Sequence, residues 1–349
     1  MSEGKTSDTA PGTVRILADG HGGDHGPATV VEALAMVLSG GICTPDSVEL
    51  GVVGREDALV PLLQQHGIAD RVKFIPATDV VEMDESPSVA LRRKKDSSIH
   101  VAARMVRDGE WDALISAGNT GALMAISKLI LRMLPGVDRP AIASVVPAIG
   151  NYTLLLDAGA NVDCTSEHLL QFAIMGSCYM QAAEGIASPR IGLLNIGSED
   201  IKGTDIIKLT TSKLQDSDLN FIGNVEGTDI FSDRVDVVVC DGFVGNVALK
   251  TMEGTAKFLS HHLKAELTSN IMAKTGAVLA RNALKRLKDT MNPGEYNGAP
   301  LLGLNGIVVK SHGSADAHAY ACAIDVAHRQ VASGMSRHIV EAMHARVEG

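Results

Sequence analysis

Ile16-Leu-Ala-Asp-Gly-His-Gly-Gly-Asp-His-Gly-Pro27 sets an apolar run against a glycine-rich loop, with a proline where a helix would begin. Proline suits the first helical turn, whose amides lack intrahelical acceptors anyway. The stretch therefore predicts strand, loop, helix. Three further segments repeat the form: Leu114-Ile-Ser-Ala-Gly-Asn-Thr-Gly-Ala-Leu-Met124, Leu193-Leu-Asn-Ile-Gly-Ser-Glu-Asp-Ile-Lys-Gly-Thr-Asp205 and Val237-Val-Val-Cys-Asp-Gly-Phe-Val-Gly-Asn246. In parallel α/β sheets, ligands bind at the carboxyl ends of strands. Glycine lets main-chain amides approach an oxyanion, and the following helix N-terminus favours negative charge. Four such loops predict one crevice for an anionic, phosphate-like substrate.

Outward from these loops, β-rich runs alternate with helical ones. Strands are expected at 14–18, 48–53, 72–75, 113–116, 142–146, 153–156, 191–196, 220–222, 235–240 and 306–310. Helices are expected at 28–39, 56–66, 97–108, 120–133, 167–181, 204–214 and 317–332. The alternation predicts an α/β fold, a mainly parallel sheet with helices on both faces. Residues 14–349 read as a single catalytic domain, since no linker interrupts them. Met1 to Thr13, polar and small, read as a disordered leader.

The chain has 349 residues, with 45% apolar, 21% charged and only 3% aromatic residues, so its core must rest on aliphatic side chains. Few aromatics and a net charge of −10 argue against nucleic-acid binding. Five scattered cysteines without a C-x-x-C suit a reducing cytoplasm and no zinc ribbon. No apolar run reaches membrane-spanning length.

Residues 254–291 differ from the rest. Leu259, Leu263, Leu267 and Ile271 form one apolar stripe, and Ala280, Leu284, Leu287 and Met291 a second, joined by a turn over Asn270 to Leu279. This reads as a helical hairpin with an apolar tip at Ile271, Met272, Val278 and Leu279. Lys274, Arg281, Lys285, Arg286 and Lys288 surround the tip without an acid among them. Apolar groups ringed by cations suit anionic headgroups. The same pattern also suits a dimerisation hairpin, or one packed on the body.

Each loop has a plain structural reading beside its chemical one. The first can be an ordinary tight turn or an anion cradle using the Gly22 and Gly23 amides. It is not G-x-G-x-x-G, and no acid closes the second strand, so dinucleotide binding is disfavoured. Asp19 and Asp24 would orient donors rather than touch a phosphate. Ser116, Asn119, Thr120 and Gly121 can cap a helix or hold phosphate oxygens. Lys202 is either a solvated loop lysine or a cation that polarises a carbonyl. Asp241 and Asn246 open a helix beside a strand end. Cys240 reads as buried filler. Arg92-Arg-Lys-Lys95 is a solvated basic run or a docking patch for an acidic partner. The histidines lack zinc spacing, and no metal or cofactor is expected.

Together these runs closely resemble the PlsX family, the acyl-ACP:phosphate acyltransferases. The resemblance is carried by Gly22-Gly-Asp-His25, Arg92-Arg-Lys-Lys-Asp-Ser-Ser98, Ser116 to Met124, Leu155-Leu-Asp-Ala-Gly-Ala-Asn-Val-Asp163, Leu193 to Gly197, Asp236 to Asn246 and Gly298 to Gly303. The sequence departs from the family at Gly20-His21, where Ala-Met is usual, and at Thr204, Asn297 and Ala315. The resemblance implies a three-layer α/β/α sandwich like isocitrate and isopropylmalate dehydrogenases, and a homodimer. It implies a peripheral membrane enzyme of the cytoplasm that passes acyl phosphate to the acyltransferase PlsY. Its substrates would be long-chain acyl-ACP and inorganic phosphate. In that reaction Gly22, Gly23, Ser116, Asn119, Thr120 and Gly121 are expected to hold phosphate. Lys202 and Asn246 are expected to polarise the carbonyl or the leaving thiolate, with Asp24 and Asp241 orienting donors. Two other classes stay open: a phosphotransacetylase-like enzyme acting on acyl-CoA, and a non-catalytic acyl-carrier or lipid-binding regulator.

Overall fold

The computed structural model describes residues 12–40, 42, 47–291 and 294–348. The expected leader, apart from Gly12 and Thr13, lies outside the described residues, as does Cys43. In chain order the elements of the first half are β1 (Val14–Asp19), α1 (Gly26–Leu38), β2 (Val48–Gly54), α2 (Glu56–Gln65), β3 (Val72–Pro76), α3 (Pro87–Arg93), α4 (Ser98–Arg107), β4 (Ala113–Ser116), α5 (Thr120–Leu131), β5 (Ala141–Pro147), β6 (Tyr152–Leu156) and α6 (Ser166–Glu184). Then come β7 (Ile191–Leu194), α7 (Asp205–Gln215), β8 (Phe221–Val225), β9 (Val237–Val239), α8 (Gly242–Leu267), α9 (Ile271–Leu279), α10 (Arg281–Met291), β10 (Ala299–Leu302), β11 (Ile307–Lys310), α11 (Ala317–Ala332) and α12 (Met335–Glu348). The chain divides into two compact units: the first runs to Leu131 and takes in Gly306–Gly334, and the second comprises Arg132–Asn305 with the C-terminal helix.

In the first unit the strands lie in the order β3-β2-β1-β4-β11, every pair parallel. Side chains alternate across a strand. Ile16, Ala18, Leu50, Val52, Ile115 and Val309 accordingly form one buried cluster with residues of α1, α2 and α11. Leu17, Leu114 and Val308, also buried, belong to the other face. The chain moves outward from β1 through β2 to β3, then returns to place β4 on the opposite side of β1. That reversal makes the carboxyl ends of β1 and β4 a topological switch point, the place where open α/β sheets bind ligands.

In the second unit the order is β10-β5-β6-β9-β7-β8. β10–β5 and β5–β6 are antiparallel, while β6–β9, β9–β7 and β7–β8 are parallel. Helix α6 is buried along most of its length, through Leu169, Phe172, Met175 and Met180. Val146, Leu155, Val225 and Val238 form a further core, against which Ala248, Leu249 and Met252 of α8 pack.

The mixed α/β class and the mostly parallel strands agree with the sequence reading. Four elements correct it: the short helix α3, which the sequence reading omits, and the three that follow. Pro300 sits inside β10, a strand the sequence reading omits; its antiparallel partner β5 is bonded through Leu301 and Leu302. Helix α12, also omitted, buries Met335, Ile339 and Met343, four residues apart along one face, and its Arg346 ion-pairs with Glu167. The hairpin begins at Gly242 rather than 254, and its expected turn is itself helix α9, capped by Asn270, whose Oδ1 accepts from the Ala273 amide at 2.8 Å. Among the described residues no helix is long and apolar enough to cross a membrane.

Candidate active site

In the first unit, three neighbouring strands end side by side: β1 at Asp19, β4 at Ser116 and β11 at Lys310, with Lys310 in register with Ser116. Asp19 is 2% exposed. Its Oδ1 accepts from the Ser98 hydroxyl at 2.6 Å and from the His21 amide at 3.1 Å. Its Oδ2 accepts from the Ser116 hydroxyl at 2.6 Å. The Ser116 oxygen in turn accepts from the Gly118 amide at 3.0 Å. One carboxylate thus ties together the loop after β1, the loop after β4 and the start of α4. A buried carboxylate needs such donors to offset its desolvation.

The two glycine loops then meet backbone to backbone. A Cβ on Gly22 would lie 2.5 Å from the Gly118 nitrogen and 2.9 Å from that of Ala117, so only glycine fits. Gly23 has φ of +95°, which L side chains avoid. The Asp24 amide donates to the Gly313 carbonyl at 2.7 Å, tying in the loop after β11. The main-chain amides of Gly22, Gly23, Thr120 and Gly121 have no acceptor among the described residues. Thr120 and Gly121 open α5, where unpaired amides and the helix dipole favour an anion.

Two expected phosphate ligands have other work. Ser116 is fully buried, and its hydroxyl bonds Asp19 and Gly118. Asn119 caps α5 through Oδ1, which accepts from the Ala122 amide at 2.9 Å. Its Nδ2 donates to the carbonyls of Met83 and Glu85, both at 2.8 Å. Their side chains shape the loops. Asp24 is exposed, with its carboxylate beside Gly313.

His21, a departure from the family pattern, has a clear local role. Its Nε2 accepts from the Arg55 amide at 2.8 Å. Burial pushes the imidazole below its ordinary pKa, which keeps that nitrogen an acceptor. Gly54 makes room for it: a Cβ there would come within 2.6 Å of the His21 ring.

The second unit has its own buried carboxylate past a strand end, Asp157. It accepts from the amides of Ile142, Gly159, Ala160 and Asn161 at 2.8–3.1 Å, and from the Asn161 side chain at 2.9 Å. Burial raises its pKa against those donors. Close beside it, Gly242 donates to the Asn161 carbonyl at 2.7 Å. A Cβ on Gly245 would stand 1.9 Å from the Asp157 carbonyl oxygen, so α8 can approach only through glycine. Asp241 caps α8, accepting from the Val244 amide at 2.9 Å. Asn246, one turn on, lies against Gly159. Lys202 is exposed on the loop between β7 and α7, and its ammonium has no partner among the described residues. Cys240 is buried and its thiol is pushed well up by desolvation, so it serves as filler rather than nucleophile. Cys164 is likewise pushed up, to about 11.

A family model described as "Fatty acid synthesis protein" matches residues 14–338. The chain belongs to that family. Similar relatives include the phosphate acyltransferase of Magnetococcus marinus, 52% identical over 322 residues that cover 90% of this chain and 91% of the relative. The phosphate acyltransferase of Alkalilimnicola ehrlichii is 50% identical over 329 residues, covering 94% and 95%. By family the chain is an acyltransferase enzyme, as the PlsX resemblance implies. Among solved structures, a phosphotransacetylase from Streptococcus pyogenes aligns with a TM-score of 0.60 at 17% identity, covering 93% of this chain and 95% of that one. A branched-chain phosphotransacylase from Enterococcus faecalis aligns at 0.56 and 15%, covering 91% and 100%. These two likenesses are of fold.

Sequence reasoning missed Ser98 and Lys310 as site residues and had Asp157 only within the Leu155-to-Asp163 run that carries the family resemblance. Ser98 closes the Arg92-to-Ser98 run, whose charges drew attention away from its hydroxyl. Lys310 ends a run of Ile-Val-Val, and a charge closing so apolar a strand was the available signal. In the hairpin, the tip residues are the most solvent-facing apolar groups: Ile271 and Met272 are each 85% exposed, Leu279 84% and Val278 67%.

Proposed function

We propose that this chain transfers a long-chain acyl group from the thioester of acyl-ACP to inorganic phosphate, releasing acyl phosphate and free ACP for phospholipid synthesis. The observation that carries the reading is the pair of glycine loops held edge to edge by Asp19, with amides that have no acceptor among the described residues. A phosphate oxygen attacks the thioester carbonyl, the carbon–sulfur bond breaks from the tetrahedral intermediate, and the thiolate of ACP leaves. Phosphate dianion is already a nucleophile near neutrality, so the protein need only hold, align and stabilise charge. The amides of Gly22, Gly23, Thr120 and Gly121 hold the dianion in this proposal. Ser116, Asn119 and Asp24 set the loops. Lys202 and Asn246 polarise the carbonyl or the departing thiolate, and Asp241 orients Asn246 by capping its helix.

The enzyme works as a homodimer at the cytoplasmic face of the membrane, with the α8–α10 hairpin tip among the headgroups, and hands its product to PlsY. Apolar tip residues beside Lys274 and Arg281 support the placement. The acidic carrier protein docks on cations of the hairpin or on Arg92 to Lys95.

Incubation with palmitoyl-ACP and phosphate, followed by hydroxylamine, tests the reading. Hydroxamate that requires phosphate and appears with free ACP is expected. Turnover of palmitoyl-CoA in preference to palmitoyl-ACP, or carrier binding without thioester loss, would replace it by one of the other two classes. Lys202→Ala is expected to lower turnover by about 10²-fold, the scale of one oxyanion donor; near-wild-type turnover removes it from the mechanism. Val278→Glu is expected to weaken binding to anionic vesicles and spare activity on soluble acyl-ACP; unchanged vesicle binding refutes the tip assignment.

A further inference from the structure

Lys310 is 8% exposed, at the carboxyl end of β11. Its ammonium donates to the Ala117 carbonyl at 3.1 Å and to the Ser311 carbonyl. Taking an ammonium out of water carries a penalty of several kcal/mol, so a strand end that needed only filling would favour an aliphatic residue. The two carbonyls are among the groups that the charge touches.

The Ala117–Gly118 peptide is gripped at both ends. Its carbonyl faces Lys310, and its N–H faces Ser116, which in turn bonds Asp19. Because a peptide is planar with C=O and N–H on opposite sides, fixing both ends fixes its rotation. Two residues later α5 begins, with the unpaired amides of Thr120 and Gly121. Gly22 and Gly23 pack on the same stretch: Cβ atoms there would stand 2.9 Å from the Ala117 nitrogen and 3.1 Å from the Ala117 methyl, respectively. Both proposed halves of the phosphate cradle therefore lean on a peptide that Lys310 holds. The charge has a second consequence. A phosphate dianion bound near these loops joins a region that already contains the buried carboxylate of Asp19. A buried ammonium on the same peptide offsets that repulsion, and in a low-dielectric setting its field is weakly screened.

We infer that Lys310 is a positioning residue for phosphate: its ammonium aligns the loop after β4 and supplies the positive charge that lets a dianion bind beside Asp19. The inference rests on the proposal that phosphate occupies these loops. Three substitutions separate its parts. Lys310→Met removes donors and charge, Lys310→Gln keeps a donor without charge, and Lys310→Arg keeps the charge. Met and Gln are expected to raise KM for phosphate by about tenfold or more, the scale of one charge-assisted interaction. The kcat at saturating phosphate and the KM for acyl-ACP should stay within about threefold, and Arg should restore most of the phosphate affinity. A general packing role would instead depress kcat and both KM values together, which would overturn the inference. So would a Gln variant, folded by its melting curve, with unaltered KM for phosphate. Should neither neutral variant fold, Arg decides: KM for phosphate within about threefold of wild type supports the inference, and a rise beyond about tenfold overturns it.

Thr120→Pro separates this inference from the phosphate assignment itself. Proline is accepted at the first helical position and deletes one proposed amide donor. If it raises KM for phosphate while the neutral Lys310 variants do not, the Lys310 inference fails alone. If Thr120→Pro and the neutral Lys310 variants all leave that KM unchanged, phosphate binds elsewhere.

Discussion

Asp19 and Asp157 stand at corresponding places in the two units, each a buried carboxylate at or just past the end of a strand, but they gather different partners. Asp157 accepts from four main-chain amides and one side-chain amide, all within Ile142 to Asn161. Those donors are fixed by the backbone, so the carboxylate staples one hairpin and its following loop. Asp19 accepts from two hydroxyls and one amide, from Ser98, Ser116 and His21. Its partners lie on three separate segments, and two of those segments carry the glycines proposed to hold phosphate. The first arrangement serves mainly the fold. The second holds in register the loops to which the proposed function assigns phosphate. The same chemical group thus yields rigidity or alignment according to how far apart in sequence its donors lie.

The largest effect is expected at Asp157. Asp157→Ala would leave several amides without their acceptor, and a loss of about 3 kcal/mol or more in unfolding free energy is expected. Urea denaturation measures it. A melting profile indistinguishable from wild type would mean the nest is dispensable.

Asp19→Asn is expected to act differently. Stability should fall by about 1–2 kcal/mol, because one carboxylate oxygen becomes a donor facing a serine hydroxyl. KM for phosphate should rise by about tenfold, since both loops lose their common tether. Steady-state kinetics at varied phosphate gives the answer. If Asp19→Asn destabilised the protein as much as Asp157→Ala and left KM for phosphate unaltered, the division of roles would collapse.

The smallest effect lies at the edge of the second unit. Glu167 pairs with Lys213 at 2.9 Å and with Arg346, which holds its carboxyl down at about 2. A lowered carboxyl contributes stability above its ordinary range, and that contribution disappears as pH falls from about 4.5 toward about 2. The side chain is 34% exposed, so solvent screening reduces the gain to about 1 kcal/mol or less. Glu167→Gln should therefore lower the melting temperature slightly at neutral pH and converge with wild type in acid. A constant difference across that pH range would show that the ion pairs are not its cause.

How legible was this in the sequence? Strand ends at Asp19 and Ser116 were plain, because apolar runs stopped against glycine, and the spacing between strand and helix left little freedom. The glycines themselves were legible for the same reason: Gly22 and Gly245 mark places where backbone meets backbone. The long-range pairings were hidden. Ser98 lies 79 residues from Asp19, and no local pattern announces that bond. Lys310 approaches Ala117 across 193 residues, so its role waits on the parallel pairing of β4 with β11. The roles of Ser116 and Asn119 were blurred differently. Serine and asparagine at a strand-to-helix turn can cap, bridge or bind, and only neighbouring carbonyls and carboxylates decide which. The division into units was invisible because the chain crosses between them at Leu131–Arg132, Asn305–Gly306 and Gly334–Met335, single peptide steps with no linker composition.

In the proposed function an orthophosphate dianion is gripped by main-chain amides of the loops Asp19 organises. A crystal structure of the protein with bound phosphate tests it most directly. An anion is expected within hydrogen-bond distance of amides from both Gly22-Gly23 and Thr120-Gly121. Phosphate bound at a different strand end, with those amides turned to solvent, would contradict it.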